Sequence, residues 1–199
     1  IVSAALFLQY SLAGASEFIE NMPKLEKDVD RPGAMIWQKP GVNRAAYTRV
    51  LVEPLTVFIS PDSEYKGLDG DDLKDLADGY QEALTKALEP EIPVVNKGGQ
   101  GVLYIRAALT NVKITKGRFR LLNVTPIGLA RRAAKGPTVN LSLKDAVLEI
   151  ETLDAVTGER IGVLVDKAPK MEDELSWDAI DKTLAFYAER FKKRLKAAK

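Results

Sequence analysis

The sequence predicts a single α+β domain: a mixed, largely antiparallel sheet with two amphipathic helices packed on one face, plus an extended N-terminal arm. Three stretches carry this expectation. Residues 139–167 read as a long antiparallel hairpin. In its first run Ala146, Leu148 and Ile150 alternate with Val147, Glu149 and Glu151, so one face is apolar and the other mostly charged. In its second run Ile161, Val163 and Val165 fall on one side, with Arg160, Gly162, Leu164 and Asp166 on the other. Between the runs, Asp154-Ala155-Val156-Thr157-Gly158 places a glycine where a short bulged loop needs a positive φ. The second stretch, 102–115, is largely apolar on both faces, which predicts a central strand. The third is a pair of helical patterns over 71–88 and 176–196. Leu73, Leu76, Tyr80, Leu84 and Leu88 share a face of the first, and Ile180, Leu184, Tyr187, Phe191 and Leu195 share a face of the second. Helices of this kind need a sheet on which to bury that face.

In chain order, the apolar run Ile1–Leu8 is too short to span a bilayer. The small-x-small triplet Ala13-Gly14-Ala15 follows, the pattern that precedes signal-peptidase cleavage. Residues 1–15 are therefore either the tail of a secretory signal peptide or an apolar N-terminal arm. Residues 16–44 are acidic and interrupted by Pro23, Pro32 and Pro40, which predicts an extended arm anchored by Trp37. The α+β domain takes 45–199. Tyr47–Ile59 is strand-like, with a bulge or an edge at Pro54, whose nitrogen cannot donate to a ladder. Asp69 or Asp71 caps the first helix, and Pro90 lies beyond its end. Residues 92–95 form a short apolar step and 97–101 a glycine turn. The connection 116–137 is loosely patterned, with room for a helical turn at 128–134. Residues 169–174 are a linker, Ser176 caps the last helix, and Lys192, Lys193, Arg194 and Lys196 set cations where its dipole favours them.

Composition narrows the chemistry. Lys and Arg number 29 against 28 Asp and Glu, so no net field draws the chain to nucleic acid or membrane. The 199 residues include no His and no Cys. That removes the commonest base near neutral pH, thiol nucleophiles, disulfides and thiolate–metal sites. No catalytic, cofactor-binding or metal-ligating residue is predicted. Lys97-Gly98-Gly99-Gln100-Gly101 is a turn rather than a phosphate cradle, because a strand follows it and no Gly-Lys-Ser/Thr does. Glu149 and Glu151 share a strand face, a spacing that suits acid–base work but reads more simply as solvated carboxylates. Arg106 lies within the central strand and needs a partner, with Glu53, Glu149 and Asp166 as candidates.

The candidate interaction surface is basic. Lys113, Lys116, Arg118, Arg120, Arg131, Arg132 and Lys135 fall in a stretch with no acidic residue, interleaved with Leu121, Leu122, Val124, Ile127 and Leu129. Such a loop either meets an anionic lipid or glycan, or covers a sheet face with its charges in water.

Four segments carry a family resemblance: SEFIENMPKLEKD, GAMIWQKPGVNRAAYTRVLVEPLTVF, GVLYIRAALTNV and LEIETLDAVTGERIGVLVD. Together they resemble domain-of-unknown-function family thirty-three thirteen, envelope proteins of Gram-negative bacteria that are often lipoproteins. The resemblance implies a location in the periplasm or at the periplasmic face of the outer membrane, and it supplies no catalytic residue and no cofactor. Where such proteins carry a lipidated Cys, Ala15 follows Leu12-Ala13-Gly14 here. The leading expectation is a non-enzymatic scaffold or interaction module. Its partners would be other envelope proteins, a second copy of the chain or the membrane surface, and not nucleic acid. The alternative is a module that binds an anionic lipid or glycan through 113–135. A carboxylate-based hydrolase is a third reading.

Overall fold

A computed structural model of the chain describes residues 16, 18–64, 70–116, 139–142, 145–167 and 177–196. In order, they form β1 (Glu26–Lys27), β2 (Ala34–Gln38), a 3-10 turn (Arg44–Ala46), β3 (Arg49–Val52), β4 (Thr56–Ile59), α1 (Gly70–Leu88) and β5 (Val94–Val95). Then come β6 (Val102–Lys116), β7 (Val139–Ser142), β8 (Val147–Asp154), β9 (Arg160–Asp166) and α2 (Trp177–Lys196). The described strands make one nine-stranded sheet in the order β1-β2-β9-β8-β6-β3-β5, with β4 and β7 also paired to β6. Pairing is parallel where β3 meets β5 and β6 and where β4 meets β6; every other pair is antiparallel. This is the mixed, largely antiparallel α+β architecture that the sequence predicts.

The long apolar strand is central, as its pattern requires. Leu103, Ile105, Ala107 and Leu109 of β6 enter the core shared with Tyr80, Leu84 and Leu88 of α1 and Tyr187 and Ala188 of α2. Both helices therefore cover one sheet face. Simple alternation would put Val112 and Ile114 on the opposite face, yet both are fully buried in this same core. Asn111 resolves the conflict. Its φ of 57° places it in the left-handed region, and between Val57 and Ile59 of β4 the strand β6 advances from Leu109 to Val112. The extra residue is a bulge that reverses the alternation, and Asn tolerates this backbone better than most side chains.

The strand expected over Tyr47–Ile59 is two strands, divided at Pro54. Val52 opposes Ile105 and Thr56 opposes Ala108, so this edge advances four residues where β6 advances three. A bulge falls where Pro54 cannot donate to the ladder.

The hairpin is present with one change of face. Gly158 adopts a φ of 71° and its N–H donates to the Asp154 carbonyl at 2.9 Å, closing the loop. Thr152 opposes Gly162 while Leu153 opposes Arg160, which leaves Ile161 unmatched. Ile161 consequently packs in the helix-side core, whereas Val163 and Val165 face the other way. The sequence grouping of all three on one side is corrected by this bulge.

Residues 16–44 also depart from expectation, because they are integral to the sheet rather than an arm lying outside it. β2 pairs along β9, with Trp37 opposite Val163, and β1 pairs with β2. Phe18 and Ile19 are buried with Ala108, Val163 and Val165, and Met22, Leu25, Trp37 and Phe58 pack around them. A second, smaller core thus covers the sheet face that the helices leave open. Burying a side chain of this size contributes about 2 kcal/mol, so an acidic stretch rich in proline is held by a few apolar residues. Among the described residues, no helix is long and apolar enough to cross a membrane. The expectations for 1–15, the helical turn at 128–134, the linker at 169–174 and the Ser176 cap lie outside the described residues.

Candidate functional site

A cavity of about 110 Å³ opens between α2 and the strands β2, β8 and β9, with the 3-10 turn at its edge. Leu103, Ile150, Ile161 and Leu164 make it apolar, with Trp37 and Phe191 beside them. Gly162 keeps this region open: a Cβ there would stand 3.0 Å from Thr152 Oγ1. The bulge at Ile161 and the absent side chain at 162 together leave room that regular packing would fill.

The hydroxyls of the lining are turned to the fold. Thr152 donates to the Gly162 carbonyl at 3.3 Å. The Tyr47 hydroxyl donates to Asp154 Oδ2 at 2.9 Å; burial, then this bond and the charges of Asp154 and Glu159, push its pKa up to about 12. The Tyr187 hydroxyl donates to the fully buried Asp166, and burial followed by that bond pushes this phenol up too. Three arginines complete the lining. Arg190 donates to the Asp30 carbonyl at 2.7 Å and to the Asp28 carboxylate, and Arg194 donates to Asp28 Oδ2 at 2.7 Å. The Arg44 side chain has no ion-pair partner among the described residues. Among the described residues, no carboxylate lines the cavity.

The other face of the sheet carries an ionic network. Arg106 donates to Glu53 and to Glu151, each at 2.8 Å, while Arg160 donates to Glu151 at 2.6 Å. The Arg106 guanidinium lies 5.0 Å from the Phe18 ring centroid. Of the three partners expected for Arg106, Glu53 is found. Asp166 instead meets Arg31 at 3.0 Å, and Glu149 meets Ser16 and Thr110. Glu149 and Glu151 are also buried rather than solvated, at 6 % and 3 % exposure. The cause is the N-terminal segment, which lies over the face that the alternation pattern assigns to water. Glu151 is committed to two arginines, an arrangement suited to structure and not to proton transfer.

Of the basic residues singled out in the sequence, Lys113 and Lys116 fall within the described residues. Lys113 pairs with Asp145 at 3.1 Å. Lys116 is the last residue of β6. Arg118, Arg120, Arg131, Arg132 and Lys135 lie outside the described residues. The cavity and its arginines were missed by sequence reasoning. Arg190 and Arg194 stand four apart on one helix face, a spacing visible in sequence. Nothing in the acidic run around Asp28 distinguishes it as their partner. Among the described residues, no group of three or more Asp, Glu, His or Cys is placed to hold a metal ion.

Comparison with known proteins adds the family. No curated protein matches. A PelC dodecamer from Paraburkholderia phytofirmans is similar at 9% identity and a TM-score of 0.34, covering 76% of this chain and 96% of that one. A DUF4136 family protein from Bacteroides thetaiotaomicron is similar at 11% identity and a TM-score of 0.34, covering 83% and 95%. Neither likeness bears on what this chain binds or how it assembles. The family described as protein of unknown function DUF3313 matches residues 14–196, nearly the whole α+β domain with its N-terminal strands, and this chain belongs to it.

Proposed function

We propose that this chain is a non-enzymatic interaction module of the Gram-negative cell envelope, in the periplasm or at the periplasmic face of the outer membrane. Its cavity under α2 receives an apolar group of a partner envelope protein. The observation that carries this reading is the state of the cavity's polar groups. The hydroxyls of Tyr47, Tyr187 and Thr152 are engaged with Asp154, Asp166 and Gly162, and no described residue of the lining is a carboxylate. A catalytic cleft needs a base or nucleophile within hydrogen-bond reach of its substrate. Apolar area edged by guanidinium groups suits retention instead. The envelope location is supported by the four family-like segments and by the Ala13-Gly14-Ala15 triplet.

A photo-crosslinking residue in place of Gln38, at the cavity, tests the reading in cells with the native envelope. Adducts with a second envelope protein are expected, or with a second copy of the chain if the partner is its own kind. Ile36→Trp, which fills the cavity, should reduce them roughly fivefold, equivalent to about 1 kcal/mol of affinity. Recovery of the unlinked monomer alone, or adducts indifferent to Ile36→Trp, would sink the proposal.

A further inference from the structure

Among the described residues, four carboxylates are buried: Asp28, Glu149, Glu151 and Asp166. Arginine meets three of them, through Arg190 and Arg194 at Asp28, Arg106 and Arg160 at Glu151, and Arg31 at Asp166. Glu149 is different. Its hydrogen-bond partners among these residues are two hydroxyls, Thr110 Oγ1 at 3.2 Å and Ser16 Oγ. Taking a carboxylate out of water without a cation is costly, so this position calls for a positive charge.

Ser16 is held where such a charge would arise. Its Oγ also accepts from the N–H of Phe18 at 3.0 Å and of Ile19 at 2.7 Å, and both those side chains are buried beneath it. The hydroxyl thus holds Ser16 itself against the Glu149 carboxylate. In the sequence, Ser16 directly follows Ala13-Gly14-Ala15, with small residues three before and one before the Ala15–Ser16 bond.

We propose that the chain is cut between Ala15 and Ser16 by an envelope endopeptidase selective for small residues, and that the new α-ammonium of Ser16 pairs with Glu149. Water cleaves the peptide bond: the Ala15 carbonyl carbon takes the oxygen and leaves as a carboxylate, and the Ser16 nitrogen keeps the bonding pair and is protonated. An amide nitrogen offers one neutral N–H. An ammonium offers three donors and a full charge, which strengthens the bond to a carboxylate. Processing then supplies the cation that Glu149 lacks and fastens the mature end of the chain to β8. The inference rests on the proposed envelope location, since such a peptidase meets exported chains.

Two measurements test it on protein exported to and purified from the envelope. Its intact mass is expected to begin at Ser16. A chain found in the envelope but beginning at Ala15 or elsewhere overturns the cut alone, while a chain absent from the envelope overturns the location and this proposal with it. Competitive acetylation near pH 7 reads the pairing. The Ser16 amine should react on the order of tenfold more slowly than an unpaired terminal amine, the effect of a one-unit shift. Glu149→Gln should restore the rate, and equal rates in wild type and variant overturn the pairing. Should Glu149→Gln not fold, Glu149→Asp keeps the charge but withdraws it by one methylene, and an unchanged rate there overturns the pairing equally.

Discussion

Asp28 concentrates the residue-scale chemistry. Burial alone would raise its carboxyl pKa. The Arg194 hydrogen bond, the Asp30 N–H at 3.0 Å and the charges of Arg194 and Arg190 outweigh that cost and hold it below its ordinary 3.8. The unfolded chain therefore takes up this proton at a higher pH than the folded one. The stability that Asp28 contributes is fully present above about pH 4 and is lost as pH falls through the lowered folded value. Asp28→Asn should cost about 2–3 kcal/mol at pH 7, since it leaves two guanidinium groups facing a neutral amide. It should also flatten the loss of stability below pH 4. Urea unfolding at pH 7 and pH 3 checks both effects, and a variant with the wild-type slope of stability against pH would contradict the assignment. The need of Arg106 for a carboxylate was legible in the sequence. So was Glu53 as a candidate partner, whereas Glu151 was not, because it becomes a neighbour only when β8 flanks β6.

Bulges dominate at the scale of the element. Strand periodicity assigns faces correctly up to the point where one residue is inserted, and every assignment beyond that point reverses. Leu103 to Leu109 follow the simple pattern, and Val112 and Ile114 follow it only after Asn111 is discounted. Asn111 also donates from its side chain to the Asp145 carbonyl at 2.9 Å. Asn111→Val should cost about 1–2 kcal/mol for the left-handed backbone, beyond the lost hydrogen bond. Asn111→Gly should lose the bond alone. Thermal unfolding of the two variants separates these contributions; equal losses would show that the positive φ carries no strain for a side chain. Gly158 is the contrasting case. Its surroundings are open, with nothing within 4 Å of a Cβ, so its requirement is purely conformational and could be read from the hairpin's turn residues.

The whole molecule is a sheet covered on both faces by segments distant in sequence. α1 and α2 bury one face, and Phe18, Ile19, Met22 and Leu25 bury the other. The second cover also shelters ionic pairs, with Phe18 standing over Arg106 and the carbonyls of Glu20 and Asn21 accepting from Arg160 at 2.7 and 2.9 Å. Phe18→Ala should cost about 3 kcal/mol through lost transfer energy and an unfilled cavity. It should also open the 18–25 segment to proteolysis before the rest of the chain. Limited digestion followed by mass analysis reads the order of cleavage. First cuts elsewhere, with this segment still protected, would mean that it is held by the backbone contacts of Arg160 rather than by apolar burial.

Local order was written in the sequence itself. Residues one, two and four positions apart determine whether a stretch can bury one face as a strand or as a helix, so the central strand, the hairpin and both helices are expressed in periodicity that any reader of the chain can find. Residues from about fifty to more than a hundred and fifty positions apart determine the rest. The pairing of β2 with β9 brings the acidic N-terminal stretch into the sheet, converts Glu149 and Glu151 from surface charges into buried ones, and sets Asp28 under the arginines of α2. Tertiary structure alone decided these relations, because the same acidic residues in water have no preferred partner, and only desolvation against one particular arginine or hydroxyl gives each of them one.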